Sequence, residues 1–92
     1  MLIMDFEIDQ LKKKIIYRSS YRGTKEMDKL LSTFTKEIIN KLSKKDLRDL
    51  ENLLDKDDNN LYRFYNGLET DIKFENNDIN HLFKNFKFNI NK

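Results

Sequence analysis

The chain has 92 residues, 18 basic against 16 acidic, and a formal net charge of +2. It contains no cysteine, proline, tryptophan, alanine or valine, and its one histidine is His81. Without cysteine there are no disulfides, thiolate metal ligands, iron–sulfur clusters or cysteine nucleophiles, and a single histidine excludes a multi-histidine zinc site. One domain over residues 1–92, with its core at about 6–86, is expected at this length. Its work is expected to be done through its surface.

The small net charge conceals an asymmetry. Residues 10–48 carry 12 basic and 4 acidic side chains (+8), whereas residues 49–79 carry 3 basic and 9 acidic ones (−6). Oppositely charged halves in one small domain suit an oriented protein–protein contact better than a uniform clamp on nucleic acid. The longest apolar run, Met1 to Met4, is far short of the roughly 20 residues that span a bilayer, so no membrane insertion is expected. Met1 to Gln10 hold three acidic and no basic residues. That is the wrong sign for a targeting leader, and a cytoplasmic location is expected.

Hydrophobic spacing predicts helices throughout. Ile8, Leu11 and Ile15 place the first over Phe6 to Arg18, and Ser19, Ser20 and Gly23 mark a turn after it. Met27, Leu30, Leu31, Phe34 and Ile38 form the most regular amphipathic stretch, giving a second helix from about Thr24 to Lys41. Ser43, with Asp46 three positions on, reads as the cap of a third helix over Lys44 to Asp55, carrying Leu47, Leu50, Leu53 and Leu54. Asp57, Asp58, Asn59 and Asn60 form a break rich in capping residues. Leu61, Phe64, Tyr65 and Leu68 follow in a short helix closing near Asn66 and Gly67. Asn76, Asn77 and Asp78 are cap candidates for a last helix carrying Ile79, Leu82, Phe83 and Phe86, and Phe88 to Lys92 is expected to fray. Alternation in Asp71 to Glu75 and Phe86 to Ile90 lacks a hairpin turn, so the fold class is all-α, a compact bundle of five short helices.

One segment carries more than packing information. In Tyr21-Arg22-Gly23-Thr24-Lys25-Glu26-Met27-Asp28 an arginine and a glycine precede the most regular helix, and two acids fall in its first turns. Glu26 is placed to fold back toward Arg22 or the free N–H groups, and Arg22 offers a rigid fork of donors to a carboxylate or phosphate. Gly23 serves either as an ordinary turn glycine or as a point of close backbone approach.

This stretch resembles the R-G-x-x-E-x-D motif of the succinate dehydrogenase assembly factor 2 family, in its bacterial type. The similarity extends to Leu53-Leu54-Asp55-Lys56-Asp57-Asp58, like the family's L-L-(E/D)-x-D-D stretch, and to Leu61-Tyr62-Arg63-Phe64 behind it, covering roughly Lys13 to Gly67. Tyr21 stands where the family usually has the first arginine of R-R-G, and Asn59 where a proline commonly follows the acidic pair.

The resemblance implies an assembly factor, not an enzyme, that promotes covalent attachment of FAD to the flavoprotein subunit of succinate dehydrogenase, with fumarate reductase as a second client. It also implies partner-binding roles for Tyr21, Arg22, Gly23, Glu26, Asp28, Asp57 and Asp58. FAD is then the client's cofactor and not one held stably by this chain, whose two glycines lie 44 positions apart and form no dinucleotide-binding fingerprint. Two alternatives remain at this point. One is a nucleic-acid-binding protein using Lys12, Lys13, Lys14, Arg18, Arg22 and Lys25 with Tyr17 and Tyr21. The other is a helical interaction module unrelated to flavin attachment.

Overall fold

The computed structural model describes residues 2–88, with side chains described from Phe6 onward. The chain forms α1 (Leu2–Ser19), α2 (Lys25–Ile38), α3 (Lys44–Leu54), α4 (Asp58–Tyr65) and α5 (Asp78–Lys84), and a short 3-10 turn, Ile39–Lys41, follows α2. Among the described residues there is no strand. The Asp71 to Glu75 alternation lies in an irregular connection. α1 packs against α2 and α3, and α5 closes the bundle against α3 and α4. The radius of gyration is 13.2 Å, close to the about 12 Å expected for a compact chain of this length.

Spacing and caps account for the helices. Met27, Leu30, Leu31 and Phe34 on α2 and Leu47, Leu50, Leu53 and Leu54 on α3 are all buried, together with Ile15 of α1. Four helices begin on a side-chain oxygen that accepts an amide three residues ahead. Thr24 Oγ1 takes the Met27 N–H at 3.1 Å, and Ser43 Oγ that of Asp46 at 3.2 Å. Asp57 Oδ2 takes the Asn60 N–H at 3.2 Å, and Asn77 Oδ1 that of Asn80 at 2.8 Å. Gly67, at φ +72°, ends α4. The Leu68 N–H reaches the Arg63 carbonyl at 2.8 Å and the Gly67 N–H that of Phe64 at 3.1 Å, which satisfies two orphan carbonyls in a Schellman turn.

The structure departs from these expectations at five places. α1 starts at Leu2, four residues earlier than expected. α2 tightens after Ile38, which buries Ile39 and leaves Ile38 half-buried. Leu68, expected on the fourth helix, lies beyond its Schellman turn and is exposed. Leu82 is also exposed, because α5 turns Ile79, Asn80 and Phe83 inward; Asn80 Nδ2 donates to the Glu75 carbonyl at 2.7 Å, which rotates that face toward the preceding connection. Phe88, read as part of a frayed tail, packs partly buried against the core; the rest of that tail lies outside the described residues.

Aromatic side chains fill what small residues would otherwise fill. Phe34 meets Phe83 and Phe86, each at 5.3 Å between ring centres, and the Tyr65 hydroxyl donates to the Phe86 carbonyl at 2.6 Å. The connection between α4 and α5 is anchored by Phe74, stacked on Phe64 at 4.1 Å, and by buried Asn60, whose Oδ1 accepts the Asp71 N–H at 2.8 Å. Lys56 lies over the Phe74 ring and Lys84 over that of Phe64.

Candidate functional site: a buckled turn between α1 and α2

The turn begins where α1 ends, at buried Ser19, whose hydroxyl donates to the Ile16 carbonyl at 2.7 Å. Tyr21 then takes φ +59°, a left-handed conformation that costs a residue with a side chain about 1–2 kcal/mol. Its amide donates to Asp28 Oδ1 at 3.0 Å. Asp28 therefore closes the turn from the first turn of α2.

Arg22 points into the protein. Nε donates to Asp58 Oδ1 at 2.8 Å, and the two terminal nitrogens reach the carbonyls of Arg18 (2.9 Å), Leu54 (3.0 Å) and Lys56 (2.9 Å). Carbonyls at a helix C-terminus lack intrahelical donors and carry the negative end of the dipole. The planar fork thus serves the end of α3 and the start of α4 together. The second carboxylate oxygen of Asp58 accepts the Gly23 N–H at 2.7 Å. A Cβ at position 23 would lie 3.0 Å from that same oxygen. Arg22, Gly23 and Asp58 form one buckle, and Gly23 has an internal reason to be glycine.

Arg22–Asp58 is the last rung of a ladder. Lys14 pairs with Glu51 at 2.9 Å, Arg18 pairs with Asp55, and Arg22 pairs with Asp58. Lys14 and Arg18, four residues apart, share one face of α1, and Arg22 extends the row from the turn beyond it, opposite the carboxylates along and just beyond α3. Part of the charge asymmetry is therefore spent inside the molecule. The ladder also withdraws three of the cations that a nucleic-acid reading would use.

The other expected site residues fall on or near this turn with different duties. Glu26 is exposed and does not take the fold-back role, since Thr24 caps α2. Asp57 is turned to the start of α4. Besides its backbone contact it accepts from Asn60 Nδ2 at 2.8 Å, and the Asn60 side chain first, then backbone amides, hold its carboxyl below the ordinary value of 3.8.

Tyr17 belongs to the nucleic-acid alternative and not to the partner-binding residues that the resemblance implies. It is 69% exposed and Tyr21 80% exposed, with ring centres 5.5 Å apart. The two rings border an open depression of about 400 Å³, lined also by Arg18, Ser20, Arg22, Gly23 and Asp58. The available signal was the spacing of four between the tyrosines across a helix end. Arg18 stands in the same nucleic-acid alternative and Asp55 in the L-L-(E/D)-x-D-D stretch; Glu51 had no signal beyond its spacing. His81 is exposed on α5. No group of three potential metal ligands occurs among the described residues, and no described helix is long and apolar enough to cross a membrane.

Fold and site together define a small helical protein whose constructed feature is a surface turn fastened to a second helix start. A family profile described as "Flavinator of succinate dehydrogenase" matches residues 13–87. The chain belongs to that family. It is 40% identical over 58 residues to the mitochondrial succinate dehydrogenase assembly factor 2 of Dictyostelium discoideum, covering 63% of this chain and 41% of that protein. To the mitochondrial protein of the same name from Aspergillus flavus it is 32% identical over 56 residues, 61% of this chain and 19% of that protein. The matched stretch thus spans less than half the length of either relative. No solved structure matches the chain significantly.

Two expectations are corrected by these relatives. The resemblance was to the bacterial type, but the matched proteins are eukaryotic. A cytoplasmic location was expected, but both relatives are named mitochondrial. The cytoplasmic reading rested on the sign of charge at Met1 to Gln10, which describes those ten residues and not a compartment.

Proposed function

We propose that this chain is a non-catalytic assembly factor that promotes covalent attachment of FAD to the flavoprotein subunit of succinate dehydrogenase. The supporting observation is that the Arg22–Gly23 motif and Asp58 of the acidic pair, far apart in sequence, meet in one buckle within the stretch matched by the family profile. Tyr21, Arg22, Gly23, Glu26, Asp28, Asp57 and Asp58 make up the partner-facing region in this reading. Arg22, Gly23, Asp28 and Asp58 set its shape, Asp57 fixes the adjoining helix start, and Tyr21 and Glu26 face outward. FAD belongs to the client, and a fumarate reductase flavoprotein is a second client of the same chemistry.

Flavin attachment joins a methyl carbon of the isoalloxazine to a histidine of the client. It requires a held geometry and stabilisation of charge developing on the ring. A factor that keeps the client's flavin domain in a receptive arrangement meets that requirement while contributing no reacting atom. The test is to mix purified, unflavinylated subunit with FAD, with and without this chain, and follow flavin fluorescence that survives denaturation. Faster or more complete attachment with the chain is expected. Equal rates and yields in the two reactions would refute the proposal.

A further inference from the structure

Resting on that functional reading, we infer that the client is gripped by the Tyr17–Tyr21 pair, and that the occupant of the depression beside it is an uncharged, apolar segment of the flavoprotein subunit. Arg22 is then a positioning residue and not a contact.

Each charged group lining the depression is already paired within the chain. Arg18 is held by Asp55, and Arg22 by Asp58 and three carbonyls, while Asp58 also accepts the Gly23 amide. A charged segment entering here would meet compensated partners and lose hydration without gaining a counter-ion. What the surface offers instead is two large aromatic faces and the Ser20 side chain. Tyrosine supplies wide amphipathic contact at low entropic cost and is enriched where interface energy concentrates.

Tyr21 strengthens the assignment. It is the only non-glycine residue with positive φ among the described residues, and it keeps that conformation with its ring exposed. The Tyr21 ring meets Tyr17 but is not buried in the core, so core packing does not offset the backbone strain, and such strain collects at binding sites. The buckle over-determines the turn on both sides, through Asp28 on the Tyr21 amide and Asp58 on Gly23. The depression, about 400 Å³ and open to one side, lies near the lower end of the roughly 300–1,000 Å³ of small-molecule sites. It suits a side chain better than a whole dinucleotide.

The test is titration of the purified, unflavinylated flavoprotein subunit with this chain, at about 50 mM and about 500 mM sodium chloride, since salt screens charged contacts and spares apolar ones. The Kd of the wild-type chain is expected to change less than about threefold between the two salts. Tyr17→Ala and Tyr21→Asn are each expected to weaken binding about tenfold or more. Asn is chosen because it tolerates the left-handed backbone, and melting curves establish that both variants fold. Tyr17→Phe and Tyr21→Phe should bind as wild type. Full affinity in the Tyr17→Ala/Tyr21→Asn double variant, a steep loss of binding with salt, or failure of the Phe variants would overturn the inference while leaving the functional proposal standing. A wild-type chain that binds at neither salt would remove both.

Discussion

Asp58 Oδ2 accepts the amide of Gly23 at 2.7 Å and stands 3.0 Å from where a Cβ at that position would be. The hydrogen bond and the exclusion are one arrangement, because a carboxylate drawn that close to the backbone leaves little room for a side chain. The same carboxylate holds Arg22 Nε at 2.8 Å. One aspartate at the start of α4 thereby fastens two motif residues that lie 35 and 36 positions earlier.

Removal of that aspartate should be costly. Asp58→Ala leaves the Arg22 guanidinium, mostly shielded from solvent, without its counter-ion, and frees the Gly23 amide. A loss of about 2–4 kcal/mol is expected from urea unfolding, the range for breaking a charged, partly buried hydrogen-bonded pair. Asp58→Asn, whose amide oxygen still accepts one bond, should fall between this variant and the wild type. An Asp58→Ala chain as stable as wild type would mean that the buckle contributes nothing.

A second expectation concerns the core. The Thr35 hydroxyl is fully buried and has no hydrogen-bond partner, and a buried unsatisfied hydroxyl costs about 1–3 kcal/mol. Thr35→Val keeps the branched shape and removes the polar atom. It should stabilise the chain by about 1 kcal/mol, which raises Tm by about 4–8 °C in a domain of this size. A lowered Tm would show that the hydroxyl is satisfied in solution.

Acid should act through Asp57. Its folded carboxyl titrates below the ordinary 3.8, first because the Asn60 side chain and then because backbone amides bond its charged form. A depressed folded value means that the contribution is present above the unfolded value and disappears as pH falls through the folded one. The stability difference between wild type and Asp57→Ala should thus be level from neutral pH down to about pH 5 and shrink below about pH 4. A difference that is independent of pH across that window would rule out the charged cap.

Much of this architecture could be read from residue spacing. The stripe of α2, the leucines of α3 and the cap at Ser43 were visible because each depends on residues within one or two turns, whereas Asp57 and Asn77 stood only within groups of capping residues from which the structure selects them. The left-handed Tyr21 was not visible, because the residue type argues against that conformation and only the bonds from Asp28 and the flanking buckle enforce it. The motif itself was legible, but the inward direction of Arg22 was not. Three of its four partners, Leu54, Lys56 and Asp58, are more than thirty positions away. The charge asymmetry is visible along the chain. Its pairing across α1 and α3 needed the helices to be set side by side.

Tyr21 also permits a separation of stability from binding. Replacement by Gly or Asn relieves the left-handed strain while deleting the exposed ring. Thermal unfolding of Tyr21→Asn should therefore match the wild type or exceed it by up to about 1 kcal/mol. A clear drop in Tm would show that the Tyr17–Tyr21 contact stabilises the fold more than the strain opposes it.

The dependence of position 23 on Asp58 is tested most directly by a double-mutant cycle in urea unfolding. Gly23→Ala alone should destabilise the chain by about 1 kcal/mol or more, because the new methyl presses on a carboxylate pinned by Arg22. In the Asp58→Ala background the same change should become neutral or stabilising by about 0.4–1 kcal/mol, since alanine then only restricts the unfolded chain. Equal effects of Gly23→Ala in the two backgrounds would contradict the buckle and return Gly23 to the role of a turn glycine that is independent of the acidic pair.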